Sequence, residues 1–222
     1  NKYDKGRELV QKLLAGTNIA LITDAGTPGI SDPGEELVKM AYEAGIEVTS
    51  LPGACACVTA LTLSGLSTRR FVFEAFLPPD KKEHKLALER LKNETRTMIV
   101  YEAPHHLLKT LRELLETLGN RRLTLCRELT KKHETAWQTT LEDAITRYEQ
   151  EDPKGECVLV IEGRSQKEIE DEAKAAFEEI SIEEHMKRYE DQGIARKEAM
   201  KLVAKDRGVT KRDIYQYLLG KE

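Results

Sequence analysis

The stretch Asp24-Ala25-Gly26-Thr27-Pro28-Gly29-Ile30-Ser31-Asp32-Pro33-Gly34 carries three glycines and two prolines in eleven residues. It stands between the apolar run Ile19 to Thr23 and a segment of helical periodicity in which Leu37, Val38 and Ala41 share a face. A short apolar run of this kind suits a strand buried on both faces of a parallel sheet. The order strand, glycine-rich loop, helix then fixes the topology, because open α/β sheets gather their ligands at the carboxyl ends of strands. Asp32 is expected to cap the following helix, with Pro33 in its first turn. Gly26 and Gly29 leave main-chain groups unshielded and Pro28 stiffens the path between them. Such a loop reads a ligand through its backbone. Its two carboxylates suit a cation or an amine better than a phosphate. A plain crossover loop is the competing reading from spacing alone.

The pattern continues on both sides of the loop. A helix is expected from Asp4 to Ala15, a strand from Ile46 to Leu51, a turn at Pro52 and Gly53, and a small-residue helix from Ala54 to Ser64. Residues 1–67 thus read as a first α/β domain with a parallel sheet. Residues 68–165 read as a second α/β domain with a mixed sheet, its strands at 71–77, 97–101, 123–127 and 157–161. The clearest helix there runs from Pro104 to Leu118, with Leu107, Leu111, Leu114 and Leu118 on one stripe and Gly119 at its end. Residues 166–222 read as a helical C-terminal region. It ends in a helix-turn-helix-like pair, Ala195 to Arg207 and then Thr210 through Leu219.

With 222 residues there is room for two modest cores, and no apolar run approaches the ~18 residues of a membrane span. A cytoplasmic protein is expected, its four cysteines reduced and mostly buried. The formal charge of −4 conceals segregation: residues 81–132 carry +6 and residues 193–222 carry +4 in an otherwise acidic chain. Local positive fields of this kind admit a polyanion, although solvated helix faces carry similar charge. Several chemistries drop out. No two of the 14 glycines are spaced G-x-G, no P-loop is present, and no H-E-x-x-H or C-x-x-C offers a metal site.

Taken in order, the run Ala20 to Gly34, Leu51-Pro52-Gly53, Phe76-Leu77-Pro78, Tyr101-Glu102 with Pro104-His105, Arg127 to Lys131, and Glu162-Gly163 resembles the tetrapyrrole methylase superfamily. Within it the chain is most similar to the branch acting on small-subunit ribosomal RNA. The resemblance covers about two thirds of the chain, from Ile19 to about Arg164. It implies a two-domain α/β fold and transfer of a methyl group from S-adenosylmethionine to the ribose 2′-hydroxyl of a cytidine in that RNA, within the 30S subunit, by a homodimer. It further implies that Asp24, Ala25, Gly26, Thr27, Pro28, Ile30, Ser31, Asp32, Pro52 and Gly53 hold the cofactor, with no metal. The family's opening strand and loop have no counterpart here, so the first domain is expected to be incomplete at its start. Ala75 stands where relatives usually carry glycine.

A weakly acidic hydroxyl nucleophile gains from a base or a polarising group beside it. Glu102 and Glu128, at the ends of second-domain strands, are the candidates for that role, with Arg127 holding adjacent phosphate. Mutual pairing of Arg127 and Glu128 is the structural alternative. Lys81, Lys82, Lys85, Lys131, Lys132, Arg196, Lys197, Lys211 and Arg212 are the expected RNA contacts. Methylation of a small tetrapyrrole, or RNA binding without catalysis, are the alternative functions.

Overall fold

A computed structural model describes residues 2–219, apart from the side chains of Lys2, Tyr3, Ala173 and Glu178. Asn1 and the last three residues of the helical C-terminal region fall outside it. The chain divides into two compact units, Asn1–Gly163 and Arg164–Glu222.

In the first unit, α1 (Lys2–Leu14), α2 (Gly34–Glu43) and α3 (Ala56–Ser64) precede a five-stranded sheet with its own helices. The strands are β1 (Phe71–Phe76), β2 (Thr97–Glu102), β3 (Arg122–Arg127), β4 (Thr135–Thr140) and β5 (Cys157–Ile161), in the order β1-β2-β5-β3-β4. Only β1 and β2 run parallel; the other pairs are antiparallel, so the sheet is mixed. Helix α4 (Lys81–Lys92) follows β1, a 3-10 turn (Pro104–His106) and α5 (Leu107–Leu118) follow β2, and α6 (Leu141–Tyr148) follows β4.

Side-chain alternation sorts the strands onto two faces. Met98, Val100, Leu123, Leu125, Leu159 and Ile161 pack against the stripe Leu107, Leu111, Leu114 and Leu118 of α5 and against α4 and α6. Ile99, Cys126, Val158 and Val160 face the other way and meet Cys57, Ala60 and Leu61 of α3. The helical stripe of α5 and the buried run of β5 are therefore two halves of one core.

Two expected strands are absent. Among the described residues no strand precedes Phe71. The runs at 19–23 and 46–51 have no regular secondary structure, and Ile22 and Leu51 are 84% and 83% exposed. An extended run of five or six residues is held as a strand only by neighbours that bond to it; without them its apolar side chains remain in solvent. Helix α2 also starts later than expected, at Gly34, with Pro33 in the capping position and no side-chain cap.

The second unit comprises α7 (Gln166–Glu178), α8 (Ile182–Glu190), α9 (Arg196–Arg207) and α10 (Lys211–Leu219). Ser165 and Glu168 form a reciprocal capping box at the start of α7, and Ser181 Oγ accepts from the Glu184 amide at α8. Met186, Ala199, Val203, Ala204 and Ile214 form its small core. None of the described helices is long and apolar enough to cross a membrane.

Candidate functional site

The loop between residues 23 and 34 is braced by one carboxylate. Asp32 Oδ2 accepts from Thr23 Oγ1 at 2.9 Å, and Oδ1 accepts from the amides of Gly34 at 3.0 Å and Gly29 at 3.3 Å. Asp32 thus closes the loop on itself, where the sequence suggested a simple helix cap. Thr27 Oγ1 donates to the Ala54 carbonyl at 2.9 Å and ties the loop to the segment before α3. A Cβ on Gly53 would lie 3.1 Å from Thr27 Oγ1, and one on Gly26 would lie 3.2 Å from the Ala54 oxygen. The glycines therefore let the loop and the segment before α3 approach closely beside a hollow.

That hollow is a cavity of about 300 Å³. Ala25, Gly26, Thr27, Ile30, Ser31 and Asp32 line one side; Glu128 to Lys131, Glu156 and Val158 line the other, with Tyr101, Phe76 and Cys55 between them. Of the residues expected to hold a cofactor, Asp24, Pro28, Pro52 and Gly53 do not line it. Its charged groups are Asp32, Glu128 and Glu156 against Lys131, a balance that favours a cation inside.

Glu128 occupies a turn with φ 50°, so its side chain leaves the alternation of β3. Oε1 accepts from Lys131 Nζ at 3.2 Å and from the Glu156 amide at 3.2 Å. The Lys131 ammonium holds the Glu128 carboxyl below its ordinary range, against a smaller opposing effect of desolvation. A Cβ on Gly155 would collide with this carboxylate. Gly155 therefore makes room for it.

The other two catalytic candidates lie elsewhere. Glu102 shares the parity of Met98 and Val100, so it points to the α5 face, where it is buried and accepts from Thr110 Oγ1 at 2.6 Å and the Ala103 amide at 2.8 Å. Arg127 shares the parity of Leu123 and Leu125; its Nη1 reaches Tyr148 Oη at 3.5 Å, and its Nε is buried without a hydrogen-bond partner. The pairing of Arg127 with Glu128 does not form: Lys131 takes that place. Lys131 is thus the one expected RNA contact that lines the cavity, while Lys81, Lys82, Lys85 and Lys132 are exposed elsewhere on the first unit. Arg196, Lys197, Lys211 and Arg212 belong to α9 and α10 of the second unit.

Sequence reasoning passed over Tyr101. Its hydroxyl accepts from the Cys57 amide at 2.9 Å, at the first turn of α3, and its ring meets Phe73 and Phe76 edge-on at 4.9 and 5.7 Å. Alternation was the available signal: Tyr101 has the parity of Ile99 and hence faces α3. The four cysteines are free. Burial pushes the thiols of Cys57, Cys126 and Cys157 up to about 11, which leaves them protonated at neutral pH. Trp137 packs against the core with the Arg147 guanidinium 4.7 Å above its ring.

The sequence profile of the Tetrapyrrole (Corrin/Porphyrin) Methylases matches residues 2–145. The chain is 45% identical over 223 residues to ribosomal RNA small subunit methyltransferase I of Synechocystis sp. (strain ATCC 27184 / PCC 6803 / Kazusa), covering 100% of this chain and 78% of that protein. It is 47% identical over 215 residues to the protein of the same name from Halalkalibacterium halodurans, covering 97% of this chain and 74% of the relative. Among solved structures, the methyltransferase CobJ superposes with a TM-score of 0.56 at 19% identity, over 73% of this chain and 72% of that one, a likeness of fold.

Proposed function

The chain belongs to the tetrapyrrole methylase family, and from that premise we propose that it is an enzyme transferring a methyl group from S-adenosylmethionine to the ribose 2′-hydroxyl of a cytidine in small-subunit ribosomal RNA. The observation that carries this reading is the cavity lined by both the glycine-rich loop and the Glu128–Lys131 carboxylate–ammonium pair. When bound, S-adenosylmethionine supplies a methyl group on a positively charged sulfur. The residues present fit it. Gly26 and the small side chains of Ala25 and Ala54 leave main-chain donors and acceptors open for its polar ends, and the acidic balance of Asp32, Glu128 and Glu156 tolerates its charge.

Glu128 orients the attacking hydroxyl rather than stripping it beforehand; as the new O–C bond forms, the hydroxyl proton becomes strongly acidic and leaves through the Glu128 carboxylate to solvent. Held ionised by Lys131, it is a weak base but a strong hydrogen-bond acceptor, and placing the nucleophile accounts for much of the acceleration available to such a transfer. Lys131 faces the adjacent phosphate. The exposed lysines at 81, 82, 85 and 132, together with Arg196, Lys197, Lys211 and Arg212 on the second unit, support the RNA backbone electrostatically, so affinity falls steeply with added salt. The 30S subunit as the physical substrate, a cytoplasmic setting and a homodimeric enzyme complete the reading. Methylation of a small tetrapyrrole is disfavoured because a compact ligand has no use for so extended a basic surface.

The test is labelled methyl transfer to 30S subunits, to naked ribosomal RNA and to a tetrapyrrole. Label on one ribose of the RNA is expected; label on the tetrapyrrole alone, or none, overturns the reading. Glu128→Gln is expected to slow single-turnover transfer roughly 10- to 100-fold by loosening the hydroxyl. Because the carboxyl is held below its ordinary range by Lys131, the wild-type rate is expected to show no Glu128 limb at neutral pH.

A further inference from the structure

A second and larger cavity, about 930 Å³, lies at the same end of the sheet but on the α5 face. It opens between α4 and α5, which both begin at the carboxyl ends of their preceding strands. Lys81 and Lys85 on α4, His106 and Lys109 at the start of α5, and Glu102 and Glu113 line its near part; Glu89, Lys92 and Glu116 stand further along those helices. Three of its four lysines, Lys81, Lys85 and Lys109, thus stand in the first two turns of the helices, next to the smaller cavity. Phe76 lines both cavities, is 51% exposed, and is held edge-on by Tyr101. Phe76 thus stands at the boundary between the two.

The floor of the larger cavity is already organised. Glu102 is 8% exposed with both oxygens engaged, by Thr110 and by the Ala103 amide. His84 bridges the Pro78 carbonyl and Glu113 Oε2, each at 3.0 Å, and so fixes the turn that follows Phe76. Lys109, 71% exposed at its side chain, forms an ion pair with Glu113 at 3.6 Å.

We propose that this cavity is a second nucleotide subsite, taking the base and phosphate of the nucleotide next to the one methylated, with Phe76 as the stacking wall that separates the two bases. The inference rests on the ribosomal RNA reading of the smaller cavity. A ribose within a polymer reaches its site only if the chain passes on, and single-stranded RNA is held by splaying bases onto aromatic rings while cations take the backbone. The volume suits a nucleotide, within the ~300–1,000 Å³ of ordinary ligand sites. Lys109 and Lys85 are placed for the phosphate, and His106 and the Glu102–Thr110 pair for the base edge.

The test uses the full chain. Lys109→Glu and His106→Ala are measured for KM towards 30S subunits, kcat, and S-adenosylmethionine affinity by calorimetry. KM is expected to rise about fivefold or more with kcat and cofactor affinity unchanged, Lys109→Ala to lower the salt slope of RNA binding by about one, and Lys109→Arg to restore wild-type behaviour. A short RNA carrying 4-thiouridine beside the methylated cytidine is expected to crosslink within residues 76–110. Wild-type KM and salt slope in the variants, or crosslinks confined to other segments, overturn the subsite. If the unaltered protein methylates no ribosomal RNA, the functional reading fails and the subsite with it; if it does and the variants are silent, only the subsite fails.

Discussion

Four residues other than glycine, Ser31, Ala75, Glu128 and Thr130, hold φ angles of 54°, 54°, 50° and 64° among the described residues. Three line the smaller cavity and the fourth precedes Phe76. A side chain in this basin costs about 1–2 kcal/mol, and its concentration around one cavity is what a site under geometric demand produces. At Glu128 the left-handed turn is what carries the carboxylate off the face of β3. At Ala75 it accompanies the shift in register between β1 and β2 and leaves Phe76 exposed between the cavities. Nothing in that arrangement requires the Ala75 methyl. Ala75→Gly is therefore expected to raise stability by about 0.5–1 kcal/mol, the relief of strain exceeding the added freedom of the unfolded chain. A urea titration measures it, and an unchanged or lower midpoint contradicts the strain.

Among the elements, the glycine-rich loop depends on Asp32 more than on its glycines. The carboxylate accepts from one hydroxyl and two amides, and bonds of this charged kind contribute about 1.5–3 kcal/mol each. Asp32→Ala is expected to weaken S-adenosylmethionine binding about tenfold or more, while Asp32→Asn, which keeps an acceptor at Oδ1, retains most of it. Equal losses in the two variants would instead point to the charge itself acting on the ligand. The loop was legible in the sequence because glycine and proline are local signals, and α5 was legible because six leucines follow the helical period. Strand β4 was not: apart from Trp137, its residues Thr135, Ala136, Gln138, Thr139 and Thr140 are polar or small, as an edge strand with one solvated side permits, and their pattern is that of a loop. The apolar runs at 19–23 and 46–51 misled in the opposite sense, since pairing depends on neighbours that a local pattern does not contain. The choice between Glu102 and Glu128 also lay beyond local pattern. Parity put Glu102 with Val100, but which face carries the glycine-rich loop follows only from the packing of α3, and the turn at Glu128 breaks parity altogether.

Across the whole molecule, the two units are held by cores of different kinds. The first buries a sheet between helices; the second surrounds an imidazole. His185 is 1% exposed, stacked on Phe177 at 4.2 Å, and receives a hydrogen bond at Nδ1 from Arg207 Nε at 3.2 Å. Its Nε2 lies 3.2 Å from Asp206 Oδ2 without a directed hydrogen bond, and Tyr189 Oη donates to that same oxygen at 2.6 Å. Burial, then the Arg207 and Arg188 charges, depress the imidazole below 6.5 in the folded chain, outweighing the opposing pull of Asp206. The unfolded chain therefore takes up a proton that the folded unit refuses. The His185 contribution is fully present above about pH 6.5, shrinks as pH falls through that value, and levels off below the folded pKa. Amide protection factors in residues 164–219, referred to the intrinsic exchange rate at each pH, are expected to fall between pH 7 and pH 5.5, with those of β2, β3 and β5 unchanged, and His185→Gln is expected to flatten the dependence. Equal acid sensitivity in both units, or a dependence that survives His185→Gln, would rule out His185 as its source; the lowered pKa values of Glu198 and Asp213 weaken the second unit only at more acidic pH.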